Sequence, residues 1–175
     1  GGFADKYSDQ VKSLSFIAPA GFGKVQTSIP FFMKIPGVIE WAMHVLADRF
    51  YGSAISSETA HSNDPLSINE EEFQQLFSFQ MQFKGFRESL ASTMRNFNLF
   101  DAREMFEKVA AKNIPSIAIW GDNDGIVSYK GAETYSEIFQ EGKVITIEDG
   151  THDITYRQPS DVLEAIKIFL ASQIS

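Results

Sequence analysis

The chain reads as an α/β protein with a mostly parallel sheet and a long helical insertion, on three observations. Short apolar runs at Leu14–Ala18, Ser116–Trp120 and Lys143–Ile147 each stop at a loop rich in Gly, Pro or Asp. Strands covered by helices on both faces read as continuous apolar runs of this kind, not as alternating ones. The later two runs are each followed by a segment of helical periodicity, and strand–helix alternation implies parallel pairing. The stretch from Ile29 to about Phe106 is mostly helical in pattern and too long for an ordinary crossover, so it reads as an insertion.

Taken in order, Phe3 to Lys12 carries Phe3, Ala4, Tyr7 and Val11 at helical spacing. Leu14-Ser15-Phe16-Ile17-Ala18 follows as a strand and ends in Pro19-Ala20-Gly21-Phe22-Gly23, which is loop chemistry. Ile35-Pro36-Gly37 opens a helix that carries Val38, Ile39, Ala42, Val45 and Leu46. Ser53 to Asn69 is polar, broken by Pro65, and reads as loop. Ser67 followed by Glu70 resembles a capping box. Behind it, Phe73, Leu76, Phe77, Met81 and Phe83 mark one amphipathic segment, and Phe86, Leu90, Met94 and Phe97 a second. Glu70-Glu71-Glu72 suits a helix N-terminus, where the helix dipole favours negative charge. Ser116–Trp120 is then a strand, Gly121–Gly125 a loop, Tyr129–Phe139 a helix and Lys143–Ile147 a strand. Pro159-Ser160-Asp161 opens a last helix with Val162, Leu163, Ile166, Ile168 and Leu170. The resulting organisation is a core portion over 1–28, a helical segment over 29–106 and a second core portion over 107–175.

Bulk properties narrow the function. At 175 residues the chain is long enough for one domain with a core, and its sixteen Phe are a rich supply of apolar surface. A net charge of −8 argues against nucleic acid, since phosphate backbones select Lys and Arg. With no Cys there is no disulfide, thiolate metal site or Cys nucleophile, which fits a reducing compartment and a cytoplasmic location. No stretch is apolar for the length of a membrane span, and no signal pattern stands at the start.

Two residues stand where α/β sheets collect chemistry, just past the carboxyl ends of strands: Asp124 after one strand and His152 after the next. If those strands are neighbours, the Asp would hold the imidazole tautomer, as in the supporting half of a nucleophile–His–acid triad. Each has a plainer reading. Asp122-Asn123-Asp124-Gly125 suits a turn, and it resembles part of a calcium loop that lacks the closing Glu. His152 alone reads as a loop histidine, and His44 and His61 read as ordinary residues of the helical segment.

At these residues the sequence resembles the α/β-hydrolase superfamily, over nearly its whole length. VKSLSFIAPAGFG is similar to the strand and loop that follow the nucleophile helix, and the helical middle to the mobile cap. IPSIAIWGDNDGIVS is similar to the strand and loop that carry the acid, matching Asp124 first and Asp122 second. IEDGTHDITYRQPSDVLEAIKIFL is similar to the last strand, the histidine loop and the final helix, matching His152. The resemblance implies an α/β-hydrolase-like fold, the C-terminal part of the sheet with an inserted cap, and an esterase-like activity on a small apolar substrate without a cofactor or metal. Most of Phe31, Phe32, Met33, Trp41, Phe73, Phe77 and Met81 are assigned to core. A minority of them, drawn from Phe31, Phe32, Trp41, Phe77 and Met81, would line the substrate pocket.

The superfamily's Gly-x-Ser-x-Gly elbow is not in the 175 residues. Gly1-Gly2 reads as the close of an elbow whose serine lies upstream, as mid-helix glycines, or as residues left over from cloning. The expectation is an incomplete hydrolase chain that is inactive alone and exposes the edge of its first strand. It would self-associate or require a complementing N-terminal segment. The alternative is a non-catalytic truncated or split hydrolase acting as a binding or interaction module.

Overall fold

Ser116–Gly121 (β2) is buried at every position, because it is the middle strand of a three-stranded parallel sheet. Leu14–Ile17 (β1) pairs with it from Leu14 opposite Ser116 to Ile17 opposite Ile119. Lys143–Ile147 (β3) pairs on the other side, from Lys143 opposite Ile117 to Ile147 opposite Gly121. These facts come from a computed structural model that describes residues 1–23, 35, 37–45, 63–96 and 101–173.

The described chain divides into two compact units. The first comprises Gly1–Gln26, Ser62–Ser67 and Phe100–Ser175, and the second Thr27–His61 and Ile68–Leu99.

In the first unit, successive β2 side chains point to opposite faces and seed two cores. On one face Ala118 and Trp120 pack with Phe16, Phe22, Phe106, Val109, Tyr135 and Phe139. That face is covered by Gly2–Lys6 (α1), Arg103–Ala110 (α2) and Gly131–Ile138 (α3). The Phe richness is concentrated here. Phe22 stacks on Phe106 at 4.0 Å between centroids, and Phe16 meets both edge-on. On the other face Ile117, Ile119 and Ile147 pack with Ile154, Val162 and Phe169 from Ile154–Arg157 (α4) and Pro159–Ser172 (α5).

Tyr135 carries a polar group into the first core and places its hydroxyl 2.8 Å from Ser116 Oγ. Burial pushes the phenol from an ordinary 10.0 up to about 12, which the Ser116 hydroxyl only partly opposes. A raised phenol pKa means the fold binds the proton more tightly than the unfolded chain. This contribution is therefore intact below pH 10.0 and is lost as pH rises toward about 12. Tyr135→Phe is expected to remove that alkaline loss from urea unfolding curves and to cost about 1–3 kcal/mol at neutral pH by stranding Ser116 Oγ. An unchanged alkaline limb in the variant would assign the loss to other groups.

At the start of α5, Gln158 offers no side-chain cap, and Asp64 supplies one from a remote segment. It accepts from Ser160 N at 2.7 Å and Ser160 Oγ at 2.8 Å, and from Leu66 N at 2.8 Å. Desolvation alone would raise the Asp64 carboxyl, but these bonds outweigh it and hold the pKa below the usual carboxylate value.

The second unit contains Val38–Val45 (α6), Glu70–Met81 (α7) and Phe86–Asn96 (α8). Ile39 of α6 and Ala91 of α8 are buried, whereas α7 buries no residue fully.

Several elements depart from the sequence reading. The first helix stops at Lys6, where Tyr7 leaves helical backbone and Ser8–Gln10 forms a separate 3-10 turn. The capping box uses Asn69 and Glu72 in place of Ser67 and Glu70: Asn69 Oδ1 accepts from Glu72 N at 2.9 Å and Glu72 Oε2 from Asn69 N at 3.0 Å. Asn caps as well as Ser, and the helix starts where both bonds close. The inward stripe of α5 is Val162 and Phe169, which are buried, with Ala165 and Ile166 half-buried beside them, while Leu163, Ile168 and Leu170 are exposed. Among the described residues no helix is long and apolar enough to cross a membrane.

Candidate active site

The parallel pairing of β2 and β3 brings their trailing loops side by side. Asp122 N donates to Ile147 O at 3.2 Å and Asn123 N to Gly150 O at 2.9 Å. Asn123 Nδ2 adds a side-chain bond to Asp149 Oδ1 at 3.2 Å. Gly121 and Gly150 make this approach sterically feasible. A Cβ on Gly121 would overlap the Gly150 carbonyl, and one on Gly150 would lie 2.8 Å from Gly121 Cα.

Asp124 is buried at the junction of these loops, whereas Asp122 is exposed. Asp124 Oδ1 accepts from Ile126 N at 2.9 Å and Val127 N at 2.7 Å. Trp120 Nε1 in turn donates to Val127 O at 2.9 Å, which ties the loop to the core beneath it. The second carboxylate oxygen, Oδ2, lies 2.9 Å from His152 Nδ1. The Asp124 side chain is fully shielded from solvent, while the His152 ring is 33 % exposed. With a carboxylate accepting at Nδ1, that nitrogen carries the proton and Nε2 is the basic one. The arrangement is a base whose tautomer and orientation are set by a buried acid, the acid itself being oriented by two backbone N–H groups.

Asp124 and His152 are thus brought together as bonding partners. The other singled-out residues are in the helical unit: Trp41 on α6 is 61 % exposed, and Phe77 and Met81 on α7 are half-buried, as is Phe73. Phe31, Phe32, Met33 and His61 lie outside the described residues, as does the side chain of His44. Among the described residues no three His, Asp or Glu side chains gather as a metal-binding group. The reading of the sequence did not pick out the N–H groups of Ile126 and Val127, although an Asp two and three residues before them in a turn is the usual signal for such bonds. It also passed over Asp153 and Arg157, which follow the histidine and bond to each other at 3.0 Å.

No protein-family profile matches the chain. It is 25 % identical over 184 aligned residues to Lipase 3 of Moraxella sp. (strain TA144), covering 95 % of this chain and 50 % of that protein. Among solved structures it is similar to a bromoperoxidase from Bacillus anthracis (TM-score 0.68, 19 % identity, 98 % of this chain, 64 % of that one). A thermophilic esterase from Thermogutta terrifontis matches with TM-score 0.65 and 18 % identity, over 99 % of this chain and 60 % of that one. A lipase-esterase related protein from Clostridium acetobutylicum matches with TM-score 0.63 and 18 % identity, over 96 % and 60 %. The chain spans half the length of the curated relative and less than two thirds of these solved chains. With a parallel sheet covered by helices on both faces and this set of structural neighbours, the chain has an α/β-hydrolase fold.

Proposed function

We propose that Asp124 and His152 are the acid and the base of a nucleophile–His–acid triad in an esterase-like hydrolase acting on a small apolar substrate. One observation carries the reading: the 2.9 Å bond between His152 Nδ1 and a buried Asp124 carboxylate whose other oxygen is already held by two N–H groups. His152 Nε2 takes the proton of a serine hydroxyl as that oxygen attacks the ester carbonyl. It then delivers the proton to the departing alkoxide. Water, activated by the same nitrogen, releases the acyl group. Asp124 keeps the imidazole turned for both steps and stabilises the imidazolium between them. No step calls for a cofactor or metal.

The serine is the missing partner, since no Gly-x-Ser-x-Gly stands in the 175 residues. In the order nucleophile, acid, histidine it precedes both, and we assign it to sequence on the N-terminal side of Gly1. The half-length match to Lipase 3 supports that assignment. So does β1, an edge of the described sheet whose Leu14, Phe16 and Ile17 are only half-buried, where a complementing segment would pair. The helical unit, inserted in sequence between β1 and β2, would act as the cap, with Trp41, Phe77 and Met81, and Phe31 and Phe32, offering apolar surface to the acyl group.

A fluorophosphonate probe tests the assignment. The 175-residue chain is expected to stay unlabelled, and the chain extended on its N-terminal side to label on one serine in a His152-dependent manner. Labelling of a serine within the 175 residues would move the nucleophile into this chain. Labelling that ignores His152→Ala would remove His152 as the base.

A further inference from the structure

The histidine loop contains a side-chain brace that the proposed chemistry does not use. Thr151 and Asp153, the residues on either side of His152, are bonded to each other through Thr151 Oγ1 and Asp153 Oδ1 at 2.5 Å. The second Asp153 oxygen accepts from Arg157 Nε at 3.0 Å. Arg157 also donates its backbone N–H to Asp153 O at 3.0 Å, so it grips that residue at two points. This ion pair is largely buried, with the Arg157 side chain 10 % exposed and that of Asp153 21 %. From the far end of the turn, Gln158 Nε2 donates to Glu148 O at 2.9 Å, which ties the start of the loop to its end. The backbone of His152 is therefore spanned by a closed ring, with Thr151 on one side, Asp153 on the other and a buried guanidinium fixing the carboxylate that joins them.

We infer that Arg157 is a positioning residue for His152, acting through Asp153 and Thr151 to hold the imidazole in line with Asp124. This rests on the reading of Asp124 and His152 as acid and base. A hydrogen bond weakens steeply once its angle or distance drifts, and the Nδ1–Oδ2 bond depends on the orientation of the His152 ring, which is 33 % exposed. Asp124 is locked by Ile126 and Val127, so any slack lies on the histidine side. Without Arg157 the Asp153 carboxylate loses its charged partner and turns toward water, the bond to Thr151 opens, and His152 recovers backbone freedom. Partners that orient a functional histidine from one shell further out act in this way at metal centres, and the same mechanics hold without a metal.

The test reads the imidazole directly in the 175-residue chain labelled with 15N-histidine. There are three histidines, and the His152 signals are those absent in His152→Gln. At one mildly alkaline pH the wild-type chain is expected to show a single Nδ1–H tautomer with an exchange-protected proton. Arg157→Gln is expected to lose that protection while keeping a native circular dichroism spectrum, and Arg157→Lys to restore part of it. Should Arg157→Gln not fold, Thr151→Val carries the same expectation with the ion pair intact. A folded Arg157→Gln or Thr151→Val chain with a wild-type Nδ1–H signal would overturn the positioning role. Asp124→Asn separates the two ideas: if it too leaves the signal unchanged, the acid–base pairing fails. If it abolishes the signal while Arg157→Gln does not, only the role of Arg157 fails.

Discussion

Gly121→Ala is expected to separate the two strand-end loops and to break the Asp124–His152 bond, at a cost of about 1–3 kcal/mol or more in stability. The added Cβ would overlap the carbonyl of Gly150, and a backbone carbonyl cannot swing aside as the end of a long side chain can. The clash is relieved only by moving the loop after β3 away from the loop after β2, and the bonds Asp122 N to Ile147 O and Asn123 N to Gly150 O open with it. Gly150→Ala should act alike from the other side, since its Cβ would press on Gly121 Cα and on Ile147 O. Gly2→Ala is the control: nothing lies within 4 Å of its added methyl, and in α1 alanine is the better helix former. Urea unfolding of the three variants checks this. Equal stability of Gly121→Ala and Gly2→Ala would mean that the close approach of the loops is not what holds the site.

Under the proposed triad Asp124→Asn carries a large expected effect on activity, a fall in kcat of about 10^4-fold in the N-terminally extended protein. The substitution keeps an oxygen for the N–H groups of Ile126 and Val127, so the loop stays in place. Its amide nitrogen then faces His152 Nδ1 and donates to it. That forces the ring proton onto Nε2, the nitrogen that the proposed mechanism has accept one from the serine. A folded protein with the wrong tautomer is the result. Asp124→Ala differs in kind, because it also strands the two N–H groups, and it should lower stability by about 1–3 kcal/mol in addition. Steady-state hydrolysis of p-nitrophenyl esters by the two variants, beside thermal unfolding, separates tautomer from support.

What the sequence disclosed and what it hid follow from the range of the interactions involved. β2 was legible because a strand buried on both faces must be apolar at every position, and Ser116–Trp120 contains little else. Asp124 and His152 were legible as candidates because each closely follows such a run, and parallel neighbours align their strand ends. The choice between Asp122 and Asp124 became physical only in the fold, where one is exposed and the other buried against His152. The capping box was misplaced by two residues because Ser67 and Asn69 both satisfy the local pattern, and only the closed pair of bonds distinguishes them. Phe169 was missed on the last helix because its neighbours Ile168 and Leu170 are equally apolar, and the face that packs is set by contact with Ile117 and Ile119 across the sheet. The approach of Gly121 to Gly150, the cap that Asp64 lends to Ser160 and the burial of the Asp153–Arg157 pair join or depend on residues distant in sequence, and periodicity carries no trace of them.

The measurement that bears most directly on the account is the rate of p-nitrophenyl acetate and butyrate hydrolysis by His152→Ala relative to wild type, in the N-terminally extended protein. Turnover is expected to fall by about 10^3–10^4-fold or more, with folding unchanged. Turnover that persists in the folded His152→Ala protein would contradict it, and would detach the Asp124–His152 pair from the chemistry altogether.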